Sequence, residues 1–495
     1  MTTTHMTGEG MVRAPGQFFI NGEWVAPSAS SMFNVITPST EALFLRVAEA
    51  QTPDVDRAVA AARYAFDKGP WPRMSHSERA GYLMKIAEGM REAADRLGKI
   101  WVSQTGVVDA MAHKTSANCA QIFEYHAGLA ETYPFEERHV SQSGESVSLL
   151  VREPVGVVAA IIPWNAPLML MSWKMAPALL AGCTVVLKTS PEAPAEALVL
   201  AEIFESIGLP PGVVNVLCAD RQVSEHLVRH TGIDKVTFTG STAAGRKIAS
   251  ICGERIARCT LELGGKSAAV ILDDADLEHV AESLSGSARM MTGQVCSSLT
   301  RIIVGRDRHD DLVDALSASF SKIRTGDPFD PATEMGPLAM ARQRDRVEGY
   351  LAKGVDEGAR IATGGKRPAH LNRGFYIEPT VFCNVDNAMT IAREEIFGPV
   401  ISVIPADNEA HAVDIANDTI FGLNASVFTK DATRAYQVAR EIRSGTVGHN
   451  GSRSGFSIAF GGFKQSGIGR EGGKEGLLPF LETKTIVLDD EPVRD

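Results

Sequence analysis

Several things are missing from this 495-residue chain, and each absence closes off a class of function. There is no CxxC pair. The seven cysteines (Cys119, Cys183, Cys218, Cys252, Cys259, Cys296, Cys383) are odd in number and widely scattered, so neither a disulfide framework nor a zinc site is indicated, and no metal is expected. There is no basic excess either: 49 Lys and Arg stand against 60 Asp and Glu, and a net charge of −11 leaves no patch for nucleic acid or an anionic membrane surface. The most hydrophobic run, "VGVVAAIIPW", is about half a membrane span and is stopped by a proline. The opening "MTTTHMTGEGMVRAPG" has no apolar core of a signal peptide, so a soluble, cytoplasmic protein is expected. No low-complexity tract is present. What remains is a globular chain, 44% hydrophobic, too long for one core and expected to divide into two or three domains that work on small molecules.

The clearest order lies between residues 155 and 265. "VGVVAAII" reads as a buried strand, "PLMLMSWKMAPALLAG" as a helix opened by Pro167, "TVVLK" as a strand and "AEALVLAEIFESIG" as a helix ending in glycine. The alternation repeats through the strand "VVNVL", the helix "VSEHLVRH", the strand "KVTFTG", the helix "STAAGRKIASICG" and the strand "RCTLELGG". Buried strands alternating with helices imply a Rossmann-like α/β fold, a doubly wound parallel sheet of the kind that binds dinucleotides. The first 130 residues, with helical stretches near 54–66 and 77–98, are expected to pack around it. A second α/β set begins at "GGKSAAVILDD" and runs through the helix "DLEHVAESLSGSARM", the strand "RIIVG" and the helix "HDDLVDALSASFSKI". Two further strand-like stretches, 145–153 and 483–490, lie outside both sets and are candidates to pair as a small sheet that reaches another subunit.

Six short stretches carry candidate chemistry, and each has a plain reading beside the functional one. "GIGREGG" has Gly467, Gly469 and Gly472 at GxGxxG spacing, but no strand precedes it and no acidic residue closes a βαβ unit, so it is rejected as a phosphate loop. "VTFTGSTAAG" is the better candidate: Gly240 and Gly245 bracket a strand-to-helix junction whose first-turn N–H groups suit an anion, or which is simply a turn capped by Ser241 or Thr242. "PWNAP" puts Trp164 and Asn165 in a loop after a strand, where open parallel sheets bind ligands, although Asn165 also suits a turn. "VLKTSPEAP" leaves Lys188 at a strand end, within reach of ribose hydroxyls or merely solvated. "LELGGKS" sets Glu262 before two glycines, as a general base or a solvated turn residue. In "TGQVCSS", Cys296 is either an exposed nucleophile or one more buried thiol.

Taken together, "PWNAP", "FTGSTAAG", "LELGGKS", "GQVC", "EEIFGPV" and "GGFKQSGIGRE" resemble, in order and spacing, the aldehyde dehydrogenase superfamily, from "FINGEWV" at 19 to "LETKT" at 485. The resemblance implies that Cys296 is the nucleophile, Glu262 the general base and Asn165 the side chain that holds the oxyanion. Lys174 and Glu471 fall where some members have a proton relay. Gly240, Ser241 and Gly245 match the phosphate turn and Lys188 the adenosine ribose contact. Trp164 and Leu263 match cofactor-site positions, and Glu395 with Phe397 the nicotinamide-ribose side. Ala166, Leu170, Trp173, Met290, Val295, Ser454 and Phe460 match the aldehyde funnel, and none is charged.

The implied reaction converts an aldehyde to a carboxylic acid with NAD, or NADP as an alternative, through a thiohemiacetal and a thioester on cysteine. Two departures stand out. Many NAD-preferring members have a glutamate where this chain has Pro191, with Glu192 one place further, and the usual proline before "FGG" is Ala459. The implied partners are an apolar aliphatic, terpenoid or aromatic aldehyde and further copies of the same chain, as a homodimer or homotetramer. A semialdehyde dehydrogenase, CoA-acylating or using Arg453 to pair a substrate carboxylate, is the alternative, as is a catalytically idle member of the fold. The expected organisation is a dinucleotide-binding domain over 1–132 and 155–265, a catalytic domain over 266–476, and an oligomerisation arm over 133–154 and 477–495.

Overall fold

Runs of valine, isoleucine and alanine in the middle of the chain form strands that are buried along their whole length, which requires cover on both faces. The computed structural model describes residues 7–140, 146–490 and 492. Arg258–Glu262, Lys235–Thr239, Val157–Ile161, Thr184–Thr189 and Val214–Cys218 lie side by side in that order, all parallel. The chain leaves Val157–Ile161 toward one neighbour and later returns on its other side. That strand is therefore the switch point, and the crevice at its carboxyl end is where ligands of doubly wound sheets bind. Apolar cores fill both faces: one lies under helix Pro167–Ala181 and the N-terminal helices, the other under helices Thr52–Asp67 and Thr242–Glu254.

Both edges of this sheet come from distant sequence. Phe18–Ile20 pairs antiparallel with Val214–Cys218 and continues into Glu23–Val25. At the opposite edge the two-residue strand Gly467–Ile468 runs antiparallel to Arg258–Glu262. A second sheet of seven strands is built around Ser267–Ile271 and Leu299–Gly305, parallel except for the edge strand Arg360–Thr363, with a core on each face. A third sheet places Val147–Pro154 between Glu136–Val140 and Leu481–Leu488, both antiparallel to it. Residues 141–145, 491 and 493–495 of the expected arm lie outside the described residues, as do residues 1–6 of the N-terminus.

Two features of the N-terminal region differ from expectation. The helical stretch expected over 77–98 is two helices, His76–Glu92 and Ala94–Thr105, which meet at Ala93; Ser75 and Glu78 form a reciprocal cap at the start of the first. A 24-residue helix, Asp109–Thr132, was not anticipated, because its apolar residues face several helices at once and leave no single stripe to read. Among the described residues, no helix is long and apolar enough to cross a membrane.

Candidate active site

A sharply turned loop carries Cys296. Helix Leu277–Arg289 ends in Met290, after which Met291 and Thr292 take left-handed backbone angles (φ 50° and 56°) that non-glycine residues rarely adopt. Gly293 follows at φ 70°, and a Cβ there would lie 2.2 Å from the Gly398 carbonyl. Gln294, which the sequence reading passed over, ties the turn down. Its amide donates to the Met291 carbonyl at 2.9 Å, its side-chain oxygen accepts from the Ala339 N–H at 3.0 Å, and its backbone carbonyl accepts from Asn165 Nδ2 at 3.0 Å. Asn424 Nδ2 holds the Ser297 carbonyl at 2.8 Å on the other side. Cys296 itself is half-buried. Burial, and then the nearby carboxylates Glu395 and Glu262, push its thiol up to about 12, so at neutral pH the resting side chain is a thiol, not a thiolate.

Glu262 ends the Arg258–Glu262 strand and is only 3% exposed, yet neither carboxylate oxygen has a hydrogen-bond partner among the described residues. Burial, then the charge of Glu471, raises its pKa well above the usual carboxylate range, with Lys174 and Arg470 opposing. Room for the carboxylate depends on Gly461, where a Cβ would lie 2.7 Å from Oε1. Lys174, in helix Pro167–Ala181, pairs with Glu471 and donates to Thr239 Oγ1 at 2.7 Å. The rejected "GIGREGG" serves this arrangement. Gly467 pairs with Glu262, and Glu471 exchanges backbone hydrogen bonds with Phe460 at 2.6 and 2.8 Å.

At the carboxyl edge of the sheet, Ser241 caps helix Thr242–Glu254 by accepting from the Ala244 N–H, and it is exposed. The neighbouring Gly240 is half-buried and donates its N–H to the Glu262 carbonyl. Gly245 is needed for packing as much as for any ligand, since a Cβ there would lie 2.4 Å from Leu263. Lys188 is buried and makes no ion pair among the described residues; burial lowers its pKa. Directly after Pro191, Glu192 accepts from the Ser190 hydroxyl and, at 2.5 Å, from Arg342, a partner 150 residues away that the sequence did not reveal. Glu395 accepts from the Gly265 N–H at 3.0 Å, and burial lifts it to about 7. Trp164 and Phe397 meet edge to face at 5.5 Å, and the left-handed Phe397 (φ 63°) is held by Gln343 on its carbonyl at 2.6 Å.

Ala166, Leu170 and Trp173 are buried in the same apolar cluster that Met290, Val295 and Phe460 pack against. Trp173 and Phe460 touch at 5.1 Å between ring centroids. Ser454 is exposed on the loop with Arg453. Phe456 and Tyr125, absent from the sequence-based funnel, join it through a ring contact of 6.0 Å; Tyr125 comes from the unanticipated Asp109–Thr132 helix.

A doubly wound sheet whose switch-point loop meets a thiol and an unpartnered buried carboxylate defines an oxidoreductase of the dinucleotide-binding class. The chain belongs to the aldehyde dehydrogenase family, whose model matches residues 24–486. It is 44% identical over 471 residues to geranial dehydrogenase of Castellaniella defragrans, covering 95% of this chain and 98% of that one. It is 38% identical over 478 residues to betaine aldehyde dehydrogenase of Bacillus subtilis, covering 96% and 97%. A solved aldehyde dehydrogenase of Mycobacterium tuberculosis complexed with NAD+ superposes with a TM-score of 0.93 at 44% identity, covering 96% of this chain and 98% of that one.

Proposed function

We propose that this protein oxidises an apolar aldehyde, aliphatic, terpenoid or aromatic, to its carboxylic acid with NAD+, NADP+ serving as an alternative. The observation that carries the reading is Glu262: a buried carboxylate with both oxygens unpartnered beside a half-buried thiol is costly to fold and suits a general base. Glu262 takes the Cys296 thiol proton as the sulfur bonds to the aldehyde carbon, then passes it on, and the oxyanion is held by the second N–H of Asn165 and the Cys296 backbone N–H. Loss of hydride from that carbon leaves a thioester. Glu262 takes a proton from water, the hydroxide adds to the thioester, and the acid leaves as the Cys296 thiol is restored. The nicotinamide, when bound, supplies the hydride acceptor. Residues at the sheet edge fit the rest of that cofactor: the Ser241 helix terminus suits the pyrophosphate, the Lys188 ammonium, free of any ion pair among the described residues, the adenosine ribose, and Glu395 with Phe397 the nicotinamide ribose, with Trp164 and Leu263 flanking.

The Lys174–Glu471 pair supplies an exit for the Glu262 proton. The apolar cluster of Ala166, Leu170, Trp173, Met290, Val295 and Phe460 favours an uncharged guest, and the similarity to geranial dehydrogenase supports a terpenoid or aliphatic one. The sheet of Glu136–Val140, Val147–Pro154 and Leu481–Leu488 serves as the arm of a homodimer or homotetramer, beside a dinucleotide-binding domain over 1–132 and 155–265 and a catalytic domain over 266–476. Steady-state reduction of NAD+ with geranial, octanal and benzaldehyde, run with and without CoA, tests the reading. CoA-independent turnover of all three is expected, and an absolute requirement for CoA overturns it.

A further inference from the structure

Beside the loop that carries Cys296 lies a narrow cleft whose lining includes Lys266, Ser267, Arg301, Asn424, Arg443 and Ser444. Its position is fixed by Leu423, whose Cβ would lie 3.3 Å from a Cβ at Gly265, while the Cys296 carbonyl abuts the same glycine. The lining contains no Asp or Glu. Four of its polar atoms, Lys266 Nζ, Ser267 Oγ, Asn424 Oδ1 and Ser444 Oγ, are buried without any hydrogen-bond partner among the described residues. Lys266 and Ser267 are 2% and 3% exposed.

The charge in this cleft has one sign. Arg301, 1% exposed, gives its guanidinium hydrogens to the Lys266, Ile415 and Ala416 carbonyls and to the Asn387 amide oxygen, all neutral acceptors at 2.7 to 3.1 Å. Neither it nor Lys266 nor Arg443 makes an ion pair among the described residues. Burial, and then the charge of Arg301, lowers the Lys266 pKa to about 7, so the charged form is the one that a bound anion would restore; Glu395 and Glu394 oppose the shift from beyond the lining, and Asp418, engaged with Arg393, acts on Arg301 in the same way. A buried ammonium with no acceptor costs far more than a buried neutral group, so a native fold that keeps one supplies a counter-charge or a water. Water satisfies hydrogen bonds but leaves the charge, whereas an anion answers both.

We propose that this cleft binds one small inorganic anion of halide size between the Lys266 ammonium and the Ser267 and Ser444 hydroxyls. The free space in the cleft, about 10 Å³, is on the scale of a single small group, which suits one monatomic anion better than the bulkier phosphate or carboxylate. The site is distinct from the aldehyde and dinucleotide positions, and Asn424 links it to the active site, because the same side chain that lines the cleft holds the Ser297 carbonyl.

The probe is bromide. Crystals grown without halide and soaked in bromide should give an anomalous peak in contact with Lys266 Nζ, and titration of the dissolved enzyme with chloride should broaden the chloride-35 NMR line saturably. Lys266→Met should weaken halide binding ~10-fold or more, the range for losing a charged hydrogen-bond donor. Ser444→Ala, which removes one of the hydroxyls proposed to hold the anion, and Arg443→Ala, at the exposed rim, should each weaken it by a smaller factor and keep the test available if the Lys266 variant does not fold. A bromide-soaked crystal with only water density in the cleft, or halide affinity unchanged in the Ser444 and Arg443 variants, overturns the proposal.

Discussion

Asn165 and Gln294 are 129 residues apart in sequence and joined by a hydrogen bond of 3.0 Å, from the Asn165 side-chain amide to the Gln294 backbone carbonyl. One N–H of the amide is committed to the loop that carries Cys296, and the other is left for a reacting oxygen. The loop and the proposed oxyanion donor are thus positioned by the same bond, so loosening either should move both. Gln294→Ala removes the bonds to Met291 and Ala339 that hold the turn. It should lower kcat ~10- to 100-fold, the scale of misplacing a reactive group, while the Kd for NAD+ measured by fluorescence titration stays near the wild-type value.

Cys296 and Glu262 should divide the reaction between them. Cys296→Ala should abolish turnover. Glu262→Gln should permit one hydride transfer and then stall as a thioester, with steady-state rate lowered ~100- to 10,000-fold, the worth of general-base assistance. Intact-mass measurement after mixing with aldehyde and cofactor checks this: the Glu262 variant should carry the acyl mass and the Cys296 variant should not. Steady turnover of the Glu262 variant at the wild-type rate would falsify the assignment.

The pH dependence follows from the same burial. Because the folded-state pKa of Glu262 is raised, the folded protein holds this proton more tightly than the unfolded chain does. The stability that this contributes is present below the ordinary glutamate pKa near 4.5 and is lost as pH rises toward the raised folded value. Glu262→Gln should therefore unfold at a higher Tm than the parent at pH 8, with the gap shrinking toward pH 5. Activity should run the other way, kcat rising with pH as the carboxylate ionises and the thiol, held near 12 in the resting enzyme, loses its proton more readily. A Tm difference between the two proteins that does not vary with pH would count against the raised pKa.

Cofactor choice should turn on Glu192 and on Arg342, whose guanidinium would meet a 2′-phosphate. Pro191 cannot repel a 2′-phosphate, and the carboxylate next to it is already engaged by the Ser190 hydroxyl and the Arg342 guanidinium. Burial alone raises the pKa of Glu192, but those two partners outweigh it and keep the group below its ordinary range, ionised and occupied. NADP+ should be usable, with kcat/KM within about a thousandfold of that for NAD+, or about 4 kcal/mol. Arg342→Ala should cost NADP+ more than NAD+, and equal losses with both cofactors would refute the role given to Arg342.

Substrate preference should follow chain length. Burial of each methylene against Leu170, Met290 and Val295 is worth ~0.8 kcal/mol, or about fourfold in kcat/KM, until the cluster is filled. Hexanal and octanal should therefore exceed acetaldehyde, and Ala166→Phe should cut activity on the longer aldehydes while sparing acetaldehyde. Succinic semialdehyde as the best substrate, with that advantage lost in Arg453→Ala, would shift the reading to a carboxylate-bearing aldehyde.

The sequence by itself determined the alternation of strands and helices between 155 and 265, since strands buried on both faces must be continuously apolar and the helices between them carry their own caps, such as Ser241 and Gly182. It also determined which residue types stand at the carboxyl ends of those strands, and its six motifs marked Cys296, Glu262 and Asn165. Only the tertiary structure decided what lies beside them. Gly467–Ile468 as an edge strand, Gln294 and Asn424 as the clamps on the Cys296 loop, Arg342 on Glu192, and Tyr125 with Phe456 against the apolar cluster all depend on contacts between segments tens to hundreds of residues apart. Local periodicity carries no record of such contacts. The helix Asp109–Thr132 escaped detection for the same reason, because its neighbours on several sides remove the one-sided stripe by which a helix is read. The uncompensated charge beside the loop is the extreme case: Lys266 and Arg301 look like ordinary solvated residues in the chain, and only packing leaves their charges without a carboxylate.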